Sequence, residues 1–161
     1  MFWISLILLI FLLLSFGFTY FIDITTLTDI KVQNIDSTSI KDISEKYVES
    51  YGIAIDKPIV YRFVKYEYNK EIEDDILLGT FHEWNSTYYI DILSELYEMN
   101  MLYDIVIHET RHMIIEYLRD KNIIDLTEYT EEIARGDNTY YNNLFDSGIY
   151  LLKNQEETEN G

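Results

Sequence analysis

The sequence predicts an α+β domain in which a small sheet of three or more strands packs against one long, largely buried helix. Three observations carry the prediction. Between 59 and 65, Ile59, Tyr61 and Phe63 alternate with Val60, Arg62 and Val64, the period-two mix of β-branched and aromatic residues that suits a strand. Residues 76–84 and 88–92 flank Asn85-Ser86, a turn pair between two further strand-like runs. From 101 to 119, Leu102, Ile105, Val106, Met113, Ile115, Tyr117 and Leu118 spread around a helical circumference, so that helix lies largely in the core.

The first element in chain order is apolar. Residues 1–22 carry no charged side chain, and about 20 apolar residues rising about 1.5 Å each match a hydrocarbon core roughly 30 Å thick. Trp3 and Tyr20 sit near its two ends as interfacial aromatics, so the run reads as a transmembrane anchor. An uncleaved or cleaved signal is the alternative, since Ser15 and Gly17 are small residues two apart, but the basic n-region is missing. No Lys or Arg precedes the span, and Lys31 and Lys41 are slight votes after it; the domain is expected on the extracytoplasmic side.

Residues 23–36 are polar and β-branched without a period and form a linker. Ser37, Thr38 and Ser39 offer N-caps for an amphipathic helix to about Tyr51, with Ile40, Ile43, Tyr47 and Val48 on one face and Gly52 as its stop. The first strand comes next, then an acidic loop at Glu71, Glu73, Asp74 and Asp75 that lacks the spacing of a calcium loop. After the hairpin, Ser94 can cap what leads into the buried helix. Thr127 can cap a helix containing Glu131 to Arg135 that breaks at Gly136-Asp137-Asn138. A last helical piece near 140–153 precedes an acidic tail at 154–161, so the folded domain is expected to span 37–153.

Composition narrows the function. The chain of 161 residues has room for one domain, and 48% hydrophobic residues supply a core. There are 29 acidic against 12 basic residues, a formal charge of −17 that repels phosphate backbones, so nucleic acid is not an expected partner. The absence of Cys excludes disulfides, thiol nucleophiles and cysteine zinc sites; a bound metal must use His and carboxylates.

Residues His108-Glu109-Thr110-Arg111-His112 spell H-E-x-x-H within the buried helix. Two imidazoles at i and i+4 share one face and can grip one ion, for which Zn2+ is expected. Glu109 lies about 100° around the axis from His108, beside the ion and outside its ligand set, where it can act as general base on the attacking water. A third ligand from a neighbouring helix is needed, and Glu131 and Glu132 are both candidates.

The H-E-T-R-H core and the following Glu131-Glu132-Ile133-Ala134 resemble the gluzincins, the zincin metallopeptidase group that includes thermolysin and the membrane aminopeptidases. The resemblance spans 76–143 and implies a minimal zincin-like domain, with Glu131, at the head of an E-x-x-A run, as the third zinc ligand and Glu132 as the alternative. It also implies an edge strand that holds the substrate backbone, mapped to 87–92, and a downstream transition-state donor, for which Tyr129, Tyr140 and Tyr141 are candidates. Arg111 departs from the usual uncharged residue and is expected to be exposed or paired with a carboxylate such as Glu116 or one on the glutamate helix. His82, beside Glu83 in a strand pattern, is expected to be structural or superficial.

The expected function is therefore a membrane-anchored, zinc-dependent peptidase acting on a peptide or protein substrate, with His108, His112 and Glu131 as ligands and Glu109 as catalytic base. The alternative is a membrane-anchored binding module of the same fold without turnover.

Overall fold

The computed structural model describes residues 30–32, 35–66, 78–97 and 101–159. The chain divides into two compact units, one of residues 1–31 and 66–75, the other of residues 32–65 and 76–161. Of the first unit, Ile30, Lys31 and Tyr66 are described, all in strand conformation, the first two within β1 (Ile30–Val32). The expected anchor at 1–22 and the acidic loop at 71–75 lie outside the described residues. Among the described residues, no helix is long and apolar enough to cross a membrane.

The second unit is α+β, as the sequence predicts. Its strands β2 (Ile59–Tyr66), β3 (Gly79–Trp84) and β4 (Thr87–Leu93) lie in the order β2-β4-β3. β2 runs parallel to β4, with Ile59 opposite Tyr88 and Val64 opposite Leu93. β3 and β4 form the expected hairpin, Gly79 opposite Ile92 and Trp84 opposite Thr87. Asn85 and Ser86 both have positive φ, 51° and 57°, the two-residue turn whose twist matches that of its flanking strands.

This order corrects the expectation that residues 87–92 form an edge. β4 lies between β2 and β3, and β3 is a terminal strand of the sheet among the described residues. The physical reason is burial on both faces. Tyr88, Ile90 and Ile92 are fully buried on one side of β4, and Asp91 is fully buried on the other. Arg62, opposite Asp91 on β2, makes that carboxylate tolerable by donating Nε at 2.6 Å and Nη2 at 2.5 Å to its two oxygens.

Helix α1 (Thr38–Ser50) starts one residue after Ser37, but Asp36 supplies the cap, its Oδ1 accepting from the Thr38 N–H at 3.0 Å. Its buried residues Ile40, Ser44 and Val48 recur every fourth position and lie against α2 (Leu102–Asp120). Small polar residues sit at that contact: the Thr110 hydroxyl lies 2.6 Å from the Val106 carbonyl and 3.0 Å from Ser44 Oγ. Val106, Met113, Ile114, Ile115, Tyr117 and Leu118 are all buried on α2, the burial expected of this helix.

Between β4 and α2, residues Ser94–Tyr97 form a 3-10 turn, so Ser94 heads that turn and not the long helix. Thr127 likewise begins a 3-10 turn, Thr127–Tyr129, capped by Asp125, and α3 (Thr130–Arg135) follows it directly. Helix α4 (Thr139–Glu159) buries Phe145, Ile149 and Leu152 at positions i, i+4 and i+7. It runs on through residues 154–159, most of what the sequence set apart as an acidic tail.

Candidate metal centre and active site

The H-E-x-x-H segment occupies the middle of α2, so its two imidazoles project one turn apart from a helix that the core holds rigidly. Their Nε2 atoms are 3.1 Å from each other. Glu131, in the first turn of α3, brings one carboxylate oxygen to 3.6 Å from His108 Nε2 and the other to 3.4 Å from His112 Nε2. Donors about 2.0–2.1 Å from a shared tetrahedral ion stand roughly 3.3 Å apart, and the separations between the two imidazoles and the nearer Glu131 oxygen of each are of that size. The residues fit a zinc ion. Glu132, the alternative ligand, is exposed and lies outside this group of converging donors.

The Ala134 backbone accepts a hydrogen bond from the His108 ring. Because Nε2 is turned toward His112 and Glu131, that bond falls to Nδ1, which orients the ring and leaves the Nε2 lone pair on the site. Burial pushes the His108 pKa down; Glu131 opposes this, while Arg135 and Arg111 add to it. Burial and then the neighbouring His108 hold the His112 pKa down as well, against the pull of Glu131. Both rings are therefore neutral near pH 7, the state that ligates.

Glu109 is buried, with 6% of its surface exposed, on the flank of α2 that meets β3. The contact is close enough to require glycine. A Cβ on Gly79 would stand 2.8 Å from Ile105 Cγ2 and 3.0 Å from both Cγ and Oε1 of Glu109. The Phe81 backbone N–H donates to the Glu109 carboxylate. Leu93 N–H bonds the Leu78 carbonyl at 3.0 Å, which fixes the alternation along the hairpin and turns the backbone groups of Gly79, Phe81 and Glu83 toward the free margin of β3. Burial pushes the Glu109 pKa up to about 7, with the Phe81 N–H working against the rise and Glu131 adding to it. A carboxylate poised near neutrality suits a general base.

Other residues singled out from sequence have partners of their own. His82 stacks on Tyr89 with ring centroids 5.0 Å apart and stands 4.0 Å from Asp91, away from the two paired imidazoles, as a structural or superficial His should. Tyr129, Tyr140 and Tyr141 gather in one cluster, Tyr141 lying 5.7 Å from Tyr129 and 5.3 Å from Tyr140 between ring centroids. Glu83, Glu116 and Asp120 also converge, but Lys57 sits among them, 2.9 Å from Glu83 and bonded to Asp120, and Arg119 pairs with Glu116. That group is an ion-pair cluster.

The expectation for Arg111 is corrected. It is 7% exposed, and its three hydrogen-bond acceptors are the Ile133 carbonyl, Tyr47 Oη and Asn142 Oδ1, all uncharged. Its guanidinium also lies 4.4 Å over the Phe145 ring. Glu116 pairs with Arg119 instead. Sequence reasoning also passed over Gly79 and Phe81. The signal for Gly79 was an isolated glycine within a strand-like run, a mark of close backbone approach. A backbone N–H such as that of Phe81 leaves no such signal. No known protein family, curated protein or solved structure matches the chain.

Proposed function

We propose that this chain is a membrane-anchored zinc-dependent peptidase of zincin-like fold. One observation carries the reading: Nε2 of His108, Nε2 of His112 and the Glu131 carboxylate converge within 3.1–3.6 Å of one another, beside a buried carboxylate whose pKa stands at about 7. The succession of elements, strands leading into α2 with the glutamate on the following helix, supports the gluzincin resemblance. The anchor rests on the uncharged apolar run of residues 1–22.

His108, His112 and Glu131 would hold the ion, which when bound would supply Lewis-acid activation of water and of the scissile carbonyl. The extended substrate adds as a strand along the margin of β3, taking up its outward backbone groups other than the Phe81 N–H, which Glu109 already holds. Glu109 then accepts the proton of the attacking water and delivers it to the leaving amine. Its burial against Gly79 keeps that carboxylate out of bulk solvent and in one orientation.

The test is cleavage of unfolded casein by the purified 161-residue chain in mild detergent, with and without a chelator, together with its zinc content. Stoichiometric zinc and chelator-sensitive cleavage are expected. Absence of cleavage, with or without zinc, defeats the peptidase reading and leaves the binding module. A second expectation concerns Gly79→Ala. The added methyl must displace Glu109, so kcat should fall about 10–100-fold while zinc content is unchanged. Unaltered kcat would show that β3 does not place the base.

A further inference from the structure

Helix α3 is six residues long, too short to hold its own position by its own turns, yet it must deliver Glu131 to within 3.6 Å of two imidazoles on another helix. Its last carbonyls have no partners inside the helix, and that of Ile133 accepts the Gly136 N–H just past the helix end at 3.1 Å. Two of these carbonyls also meet α2. The Ile133 carbonyl accepts Arg111 Nε at 2.8 Å, and the Ala134 carbonyl accepts the His108 ring. Arg111 is a forked cation, and its Nη2 donates to Asn142 Oδ1 at 2.7 Å while Asn142 Nδ2 donates to the Gly136 carbonyl at 2.9 Å. Gly136 has φ 69°, the left-handed turn that ends α3 and lets its carbonyl reach Asn142. The end of the glutamate helix is thus gripped from both sides by one guanidinium and one amide.

We propose that Arg111 is a positioning residue for the metal centre: through Ile133 and Asn142 it sets the offset of α3 along α2, and so where Glu131 arrives. The proposal rests on Glu131 being the third ligand. A buried cation without a carboxylate partner among the described residues is an expensive residue to keep, and only a planar fork can meet three acceptors on α1, α3 and α4 at once. Position 111 lies one residue before His112 and three after His108, so whatever Arg111 holds is registered directly to the imidazole pair.

The experiment is a double-mutant cycle on zinc affinity of the full chain, measured by competition with a chromogenic chelator. Glu131→Gln alone should weaken zinc binding by roughly 100-fold or more and Arg111→Met alone by about 10–100-fold. If Arg111 acts through Glu131, adding Glu131→Gln to Arg111→Met costs less than about tenfold further. Should Arg111→Met fail to fold, Asn142→Ala in the same cycle tests the same grip and should give the same shortfall. Tyr47→Phe removes the bond from this guanidinium to α1, together with the Tyr47–Tyr51 hydroxyl bond, and keeps its bonds to α3 and α4, so it lowers thermal stability and leaves zinc affinity within about twofold. Additive costs, or an equal loss of affinity in Tyr47→Phe, overturn the positioning role while leaving Glu131 a ligand. No loss of affinity in Glu131→Gln overturns the metal-centre reading itself, and the proposal with it.

Discussion

Glu109→Gln is expected to abolish turnover and, in the metal-free protein, to raise stability above neutral pH. The amide keeps the shape of the carboxylate and its acceptor for the Phe81 N–H, but it cannot take a proton, so cleavage should fall by roughly 10²–10⁴ with zinc content intact. The stability gain comes from burial. Below about pH 4.5, the ordinary value for this side chain, the carboxyl is protonated folded or unfolded and contributes nothing. Between 4.5 and about 7 the unfolded chain gives up its proton while the folded chain keeps it, so stability declines as pH rises. Above 7 the whole cost remains, on the order of 3 kcal/mol for a difference of that size. The variant escapes that cost. Urea midpoints of the metal-free wild-type and variant chains should nearly coincide at pH 4 and separate at pH 8, with the variant the more resistant. A variant less stable than wild type at pH 8 would mean that the carboxylate is not held at a loss.

His112→Ala should remove zinc binding and with it every zinc-dependent property. In the wild type, zinc at 100 times its dissociation constant adds about 2.7 kcal/mol to the folded state, a rise in melting temperature on the order of 10 °C for a domain of this size. The variant should melt at one temperature with or without zinc, and should show no chelator-sensitive cleavage. A zinc-induced rise of unchanged size in His112→Ala would place the ion elsewhere. Glu83, Glu116 and Asp120 would then need to be tested, although Lys57 stands among them.

The parts of this architecture that were legible in the sequence are those set by nearby residues. Asn85-Ser86 announces a hairpin because few pairs tolerate two positive φ values. The i, i+4 imidazoles announce their face as soon as the helix is recognised. What sequence could not supply is pairing between distant segments. The parallel match of β2 to β4 puts residues 87–93 inside the sheet, and nothing local to those residues distinguishes an inner from an outer strand except the burial of Asp91 opposite Arg62. Arg111 misled for a related reason. A cation in an acidic chain suggests a carboxylate partner, but its acceptors are a backbone carbonyl, a phenol and an amide, which carry no charge pattern. The end of α4 was misjudged because charged residues there suggest solvent, and helix formation does not require a buried face on every turn.

The β3 strand is fastened at both ends to the same helix. At Gly79 it rests on Ile105 and Glu109, and at Glu83 it is joined through Lys57 to Asp120, which also accepts the Tyr88 hydroxyl at 2.7 Å. A rail pinned in this way gives up little freedom when a second chain is laid along it. Rigid, already extended peptidomimetics should therefore outperform flexible ones of equal contact area, and their advantage should appear in slower dissociation.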